Sequence, residues 1–152
     1  TLKAVYELNI PTFWFWPNVD AGSDGTSGGI RSFREINKPQ NIHFFKNMEG
    51  QDFLTLLTNS KCLIGNSSTG IRECSYLGVP VVNIGSRQNK RERGNNVLDT
   101  VYNKSEIIKS IRNRISAKNI VSENIYGDGK SGQRIANILA ETDIKYYKTI
   151  MY

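Results

Sequence analysis

Cysteine, histidine and long apolar runs are scarce in this chain, and each shortage closes off a class of function. Cys62 and Cys74 are the only cysteines, too few for a disulfide framework or a metal-ligand set. Each lies in an apolar segment and reads as a small buried hydrophobe, which fits a reduced, cytoplasmic setting. His43 is the one histidine; standing before Phe44 and Phe45, it reads as structural rather than catalytic. No apolar run approaches the roughly 20 residues of a membrane helix. Thr1–Asn9 reads as an amphipathic helix end rather than the apolar block of a signal peptide. The chain does not begin with Met, so a fragment of a longer protein is expected. Internal repeats and low-complexity segments are missing too.

The remaining composition is that of a globular domain. A length of 152 residues suits one domain with its own core. Fractions of 38% hydrophobic and 22% charged residues argue against disorder. The net charge of +6 is spread along the chain, densest at Arg87, Lys90, Arg91 and Arg93 with Glu92 among them. Nucleic acid is one partner for such a cluster, but the aromatics gather in Phe13–Trp16 instead of alternating with cations as stacking platforms. An anionic small ligand fits better, and a plain solvated basic loop is the alternative.

Short apolar runs alternate with helical patterns. Helices are predicted over 1–9, about Gly29 to Asn37, Asp52–Thr58, Ser68–Leu77, a long stretch opened by Ser105 and Glu106, and Gln133–Glu141. Ile107, Ile108, Ile111 and Ile115 mark the buried stripe of the long one. Strands are predicted at Ile10–Pro17, Asn41–Phe45, Cys62–Gly65, Val81–Ile84 and Asn96–Val101. Asn18–Gly29 and Asp128–Gly132 read as loops. Gly78 and Pro80 stop the helix before the fourth strand. The pattern implies βαβ units and a parallel sheet covered on both faces, an α/β, Rossmann-like fold.

In such sheets ligands bind beyond the carboxyl ends of the strands. Four loops fall there: Asn18–Ser27, Asn47–Gln51, Asn66–Gly70 and Gly85–Gly94. The segment Gly65-Asn66-Ser67-Ser68-Thr69-Gly70-Ile71-Arg72-Glu73-Cys74 is the most informative. Small, hydroxylated residues at a strand-to-helix turn leave N–H groups open at a helix N-terminus and suit a phosphate. Ser67 and Ser68 would supply hydroxyls, and Gly70 would let the ligand approach the backbone. Capping of the helix by Ser68 or Thr69 uses the same donors and is the plainer account. Glu73 can accept from paired ribose hydroxyls or serve only as a first-turn acid. Arg87, just past the fourth strand, can clamp a phosphate with its planar fork, whereas Arg91 and Arg93 read as solvated. Asp20 and Ser23 could reach a sugar, or simply form a turn. Among Glu73, Asp20 and Glu49 no acid/base pair stands at legible spacing. The rim reads as a nucleotide grip whose catalytic groups come from elsewhere.

Three blocks resemble the UDP-N-acetylglucosamine 2-epimerases: Asn66 to Glu73, Leu77 to Gln88, and Arg91-Glu92-Arg93-Gly94-Asn95-Asn96-Val97. Pro17-Asn18-Val19-Asp20-Ala21-Gly22-Ser23 and Ile125-Tyr126-Gly127-Asp128-Gly129 resemble the hydrolysing branch, as does Ser67-Ser68-Thr69-Gly70 where the other branch has Asp-Ser-Gly-Gly. That resemblance implies the C-terminal, UDP-binding half of a two-domain GT-B enzyme that eliminates UDP from UDP-N-acetylglucosamine. Water then adds to give N-acetylmannosamine for sialic-acid synthesis. It implies Ser67 and Ser68 on the diphosphate, Glu73 on the ribose, Arg87 on the phosphate side and Asn18 facing the cleft. It assigns no catalytic residue, cofactor or metal to these 152 residues, and the acid/base carboxylates fall to an absent N-terminal domain. A homo-oligomer is implied for the full-length enzyme, and an allosteric site for an end product near Arg31 and Arg34. Enzymes acting on UDP-diacetylbacillosamine look alike here, and a GT-B glycosyltransferase donor domain or a mere nucleotide-binding fragment are the further readings.

Overall fold

The computed structural model describes residues 1–18, 22–117 and 120–143. Along them run α1 (Leu2–Leu8), β1 (Thr12–Phe15), α2 (Ser23–Asn37), β2 (Ile42–Phe45), α3 (Gly50–Thr58) and β3 (Leu63–Gly65). A 3-10 turn (Ser68–Gly70), α4 (Glu73–Leu77), β4 (Val81–Ile84), β5 (Val97–Thr100), α5 (Lys104–Ser116) and α6 (Ser131–Glu141) follow. Every pairing is parallel, with β1 on β2 and β4 between β3 and β5. Parallel neighbours need long crossovers, and the intervening helices supply them.

Side chains alternate across each strand and so feed two cores. Trp14, Phe44, Ile64, Val82 and Ile84 pack with Ala4 and Val5 of α1 and with Ile107, Ile108 and Ile111 of α5. On the other face Leu63, Val81 and Val97 meet Phe53 and Leu57 of α3 and Cys74 of α4. Phe15 of β1 turns the same way and meets Phe53 edge to face at 5.3 Å. The two strand groups therefore share both helical layers, and β4 is buried along its whole length. This is the expected α/β, Rossmann-like architecture with helices on both faces.

Four local expectations change. The glycine- and serine-rich stretch read as a loop through Gly29 is helical from Ser23 onward. Asp24 sits favourably in its first turn, and burial of Ile30 and Phe33 outweighs the poor helix propensity of its glycines. A Cβ added at Gly28 meets nothing within 4 Å and its φ is not positive. Gly28→Ala is therefore expected to stabilise the domain by about 0.5–1 kcal/mol, read as a higher midpoint in thermal unfolding. Second, the helix expected over Ser68–Leu77 is broken into the 3-10 turn and the five-residue α4. Gly78 ends α4 at φ 66, where its N–H reaches Cys74 and Ser75 carbonyls and a side chain would strain the backbone.

Third, α5 begins at Lys104, one residue before the expected Ser105, because Asn103 caps it by accepting the Glu106 N–H at 3.2 Å. Fourth, α6 begins at Ser131, two residues before the expected Gln133. None of its residues is buried, and Ile135, Ile138 and Leu139 remain exposed. Its first turn is held instead by Asp128, which accepts two hydrogen bonds from Arg134 at 2.8 and 2.7 Å. That guanidinium, helped by the Lys130 N–H, draws the Asp128 carboxyl below its ordinary range.

Candidate functional site

Parallel pairing puts the carboxyl ends of β3, β4 and β5 on one rim, and the turns after β3 and β4 meet there, Gln88 against Asn66. Gly65 leads into Asn66 and Ser67, and the chain then tightens into the 3-10 turn. Ser67, not Ser68 or Thr69, is the capping residue: its Oγ accepts the Thr69 N–H at 3.3 Å. That distance lies beyond the usual range of about 2.7–3.2 Å, so the cap is loose. Gly70 is buried, and a Cβ there would lie 2.8 Å from Val81 Cγ1. The glycine brings the turn down onto the first residue of β4, which is a packing reason for it in addition to the expected ligand approach.

Because α4 is only five residues long, little helix dipole stands behind the turn. What the turn can offer a ligand is the hydroxyls of Ser67 and Ser68 rather than the end of a long helix, for the Thr69, Gly70, Ile71 and Arg72 N–H groups already donate within it. Glu73 opens α4 and is half-buried. Its Oε2 is buried with no hydrogen-bond partner among the described residues. A carboxylate oxygen in that state has lost water and gained nothing, which is costly unless a donor arrives from outside the chain.

Arg87 lies exposed in the turn after β4, on the same rim. Asn18, also exposed, stands in the segment after β1, and Asp20 lies outside the described residues. Arg93 corrects an expectation. It is not solvated: its guanidinium donates to Asp99 and to the Gln88 carbonyl, and its Nε is buried. Asp99 is placed by Asn83 of β4, whose amide donates to it at 2.6 Å. Arg31 and Arg34 lie away from the serine turn. They line a groove of about 750 Å³ between α2 and β2 with Glu35, Lys38, Gln40 and His43. Arg34 stacks over Phe44 at 4.7 Å. His43 is exposed beside Phe13.

Burial pushes both thiols up to about 12, so Cys62 and Cys74 stay protonated and behave as packing groups. No helix among the described residues is long and apolar enough to cross a membrane. No cluster of His, Cys, Asp and Glu among them is placed to hold a metal ion.

Two buried amides, Gln88 and Asn96, escape the reading of the sequence although both touch the serine turn. The available signal was a polar residue beside or within an apolar strand run, such as Asn96 ahead of Val97 or Asn83 within Val-Val-Asn-Ile. Such a residue requires a partner when buried.

The family model described as UDP-N-acetylglucosamine 2-epimerase matches residues 1–140. The chain belongs to this family. It is 33% identical over 138 residues to the UDP-N,N'-diacetylbacillosamine 2-epimerase (hydrolyzing) of Legionella pneumophila, covering 91% of this chain and 36% of that protein. It is 30% identical over 129 residues to the UDP-N-acetylglucosamine 2-epimerase of Neisseria meningitidis, covering 82% of this chain and 33% of the relative. The chain thus spans about a third of the length of these curated relatives. Among solved structures, the UDP-GlcNAc 2-epimerase of Methanocaldococcus jannaschii superposes with a TM-score of 0.68 at 19% identity, over 93% of this chain and 40% of that one. The same enzyme in complex with UDP-GlcNAc and UDP gives 0.59 at 20% identity, over 93% and 48%. These superpositions bear on the fold, and they agree with the Rossmann-like architecture described above.

Proposed function

We propose that this chain is the UDP-binding domain of a hydrolysing UDP-N-acetylglucosamine 2-epimerase, the C-terminal half of a GT-B pair. The observation that carries the reading is Glu73: an anionic oxygen buried without a partner, three residues after a glycine-hydroxyl turn on the strand-end rim. Ribose hydroxyls are the donors it lacks. The hydroxyls of Ser67 and Ser68 take the diphosphate, Arg87 adds a charge on its far side, and Asn18 faces the cleft.

In the proposed reaction the C1–O bond to the diphosphate breaks as a proton leaves C2, giving a glycal and UDP. Water then adds across the double bond and releases N-acetylmannosamine. Negative charge grows on the departing phosphate, and donors fixed around it lower the barrier to that step. The proton at C2 needs a base, which the rest of the enzyme supplies. This chain therefore holds the leaving group and moves no proton.

The likeness to the Legionella enzyme favours a second sugar, UDP-N,N'-diacetylbacillosamine. Turnover of the two sugars by the full-length enzyme separates the readings, and it also separates both from a GT-B glycosyltransferase, which releases no free sugar and UDP without an acceptor. For the 152 residues alone we expect weak UDP binding and no turnover; epimerase activity from them would overturn the division of labour. Arg87→Lys should weaken UDP binding about fivefold in calorimetry, because a point charge replaces a fork with paired donors. For Arg31 and Arg34 the proposal is an acidic regulatory ligand, supported by the basic lining of their groove. A cytoplasmic, homo-oligomeric enzyme completes the proposal.

A further inference from the structure

The serine turn is too short to hold its own shape. A single 3-10 turn of three residues followed by a five-residue helix has little intrinsic stability. Its donors can be pre-aimed at an anion only if neighbouring groups fix the backbone. Two side-chain amides do so, one at each end. Gln88 Nε2 donates to the Asn66 carbonyl at 2.8 Å. Asn96 Nδ2 donates to the Gly70 carbonyl at 3.1 Å and to the Val79 carbonyl at 3.2 Å. Both residues are almost wholly buried, 3% and 1% exposed.

Each residue is itself held through its backbone carbonyl. The Gln88 carbonyl accepts from Arg93, which also binds Asp99, and Asp99 is fixed to β4 through Asn83. Asn96 lies directly ahead of β5, and its own carbonyl accepts the Val81 N–H at 2.8 Å. The carboxamide oxygens of Gln88 and Asn96 are buried and unpartnered. A residue that leaves half its hydrogen-bonding capacity unmet in the interior is costly as packing. The donating half, which acts on the turn, gives it a purpose.

We propose that Gln88 and Asn96 are positioning residues that bracket the Asn66–Gly70 turn and lock it against the Arg87 loop. This deepens, and rests on, the reading of that turn as the diphosphate site. Gln88 follows Arg87 in the chain, so one amide sets the serine turn and the arginine turn at a fixed separation before any ligand arrives. Pre-set donors bind a diphosphate without the cost of ordering the loop.

Gln88→Met keeps the shape and removes the donor. It is expected to weaken UDP binding about tenfold and leave uridine binding unchanged, because uridine makes no use of the diphosphate donors. In the ligand-free protein, amide exchange at Ser68–Ile71 should accelerate while Val81–Ile84 keeps its protection. Asn96→Leu, which keeps the shape and removes the donor, should produce the same pair of changes. Unchanged exchange in the turn would overturn the bracket, and so would equal losses for UDP and uridine with β4 protection falling alongside. If the unaltered protein fails to bind UDP, the function proposed above falls, and the exchange measurement still decides whether the bracket exists.

Discussion

Ser67→Ala combined with Ser68→Ala is expected to cut UDP affinity at least a hundredfold. Each lost hydrogen bond to a charged group is worth about 1.5–3 kcal/mol, so the pair removes about 3–6 kcal/mol. Part of any loss could come from the cap, since Ser67 Oγ accepts the Thr69 N–H. A cap is worth about 0.5–2 kcal/mol even when well formed, and this one is long at 3.3 Å. Capping alone therefore cannot account for the expected loss. Calorimetric titration with UDP and with uridine measures the effect: the double variant should lose UDP and retain uridine. Unchanged UDP affinity would remove the diphosphate from this turn.

The second large effect is expected at Glu73. Glu73→Ala should weaken UDP binding by about 1.5–3 kcal/mol, the worth of a charge-assisted contact to the ribose. The domain's own stability should hold or rise. The favourable place of an acid in the first turn of α4 is worth about 0.3–1 kcal/mol, while relieving a buried, unpartnered oxygen returns about 1–3 kcal/mol. 2'-Deoxy-UDP is the control, because it lacks one of the two hydroxyls and should be less sensitive to the substitution. If melting falls sharply and UDP and 2'-deoxy-UDP suffer alike, Glu73 is structural.

Part of the fold was legible because its signals are local and periodic. Short strand runs such as Val81–Ile84 and the isoleucine stripe of α5 point to burial: Val81, Val82, Ile84, Ile107, Ile108 and Ile111 are buried, and Ile115 packs against them half-buried. The α2 start was missed because Gly22–Gly29 carries turn-type residues. Its helical state comes from Ile30 and Phe33 packing further along, which acts through the tertiary structure. The break between the 3-10 turn and α4 was missed for the opposite reason. Ser68–Leu77 reads as helical despite Gly70, whose close packing on Val81, with the Asn96 amide on its carbonyl, sets the break.

At the site, the residues proposed to hold the ligand, Ser67, Ser68, Glu73 and Arg87, stand out in the sequence by their types and positions. Residues that act on other residues do not. Arg93 looked like one cation of a solvated loop, yet its guanidinium is spent on Asp99 and the Gln88 carbonyl. Asn96 carried only the signal of a polar residue ahead of an apolar run, and the partners of Gln88, Asn96 and Asp99 become visible when strands distant in sequence are laid side by side. The charge of Arg93 is thus taken up within the protein rather than held in solvent.

The most direct test of the central claim is amide exchange over the whole chain with and without UDP. Slower exchange at Ser68–Ile71 and at the Arg87 turn, with the α2–β2 groove unchanged, is the predicted result. Protection confined to that groove, or no protection at saturating UDP, would contradict it.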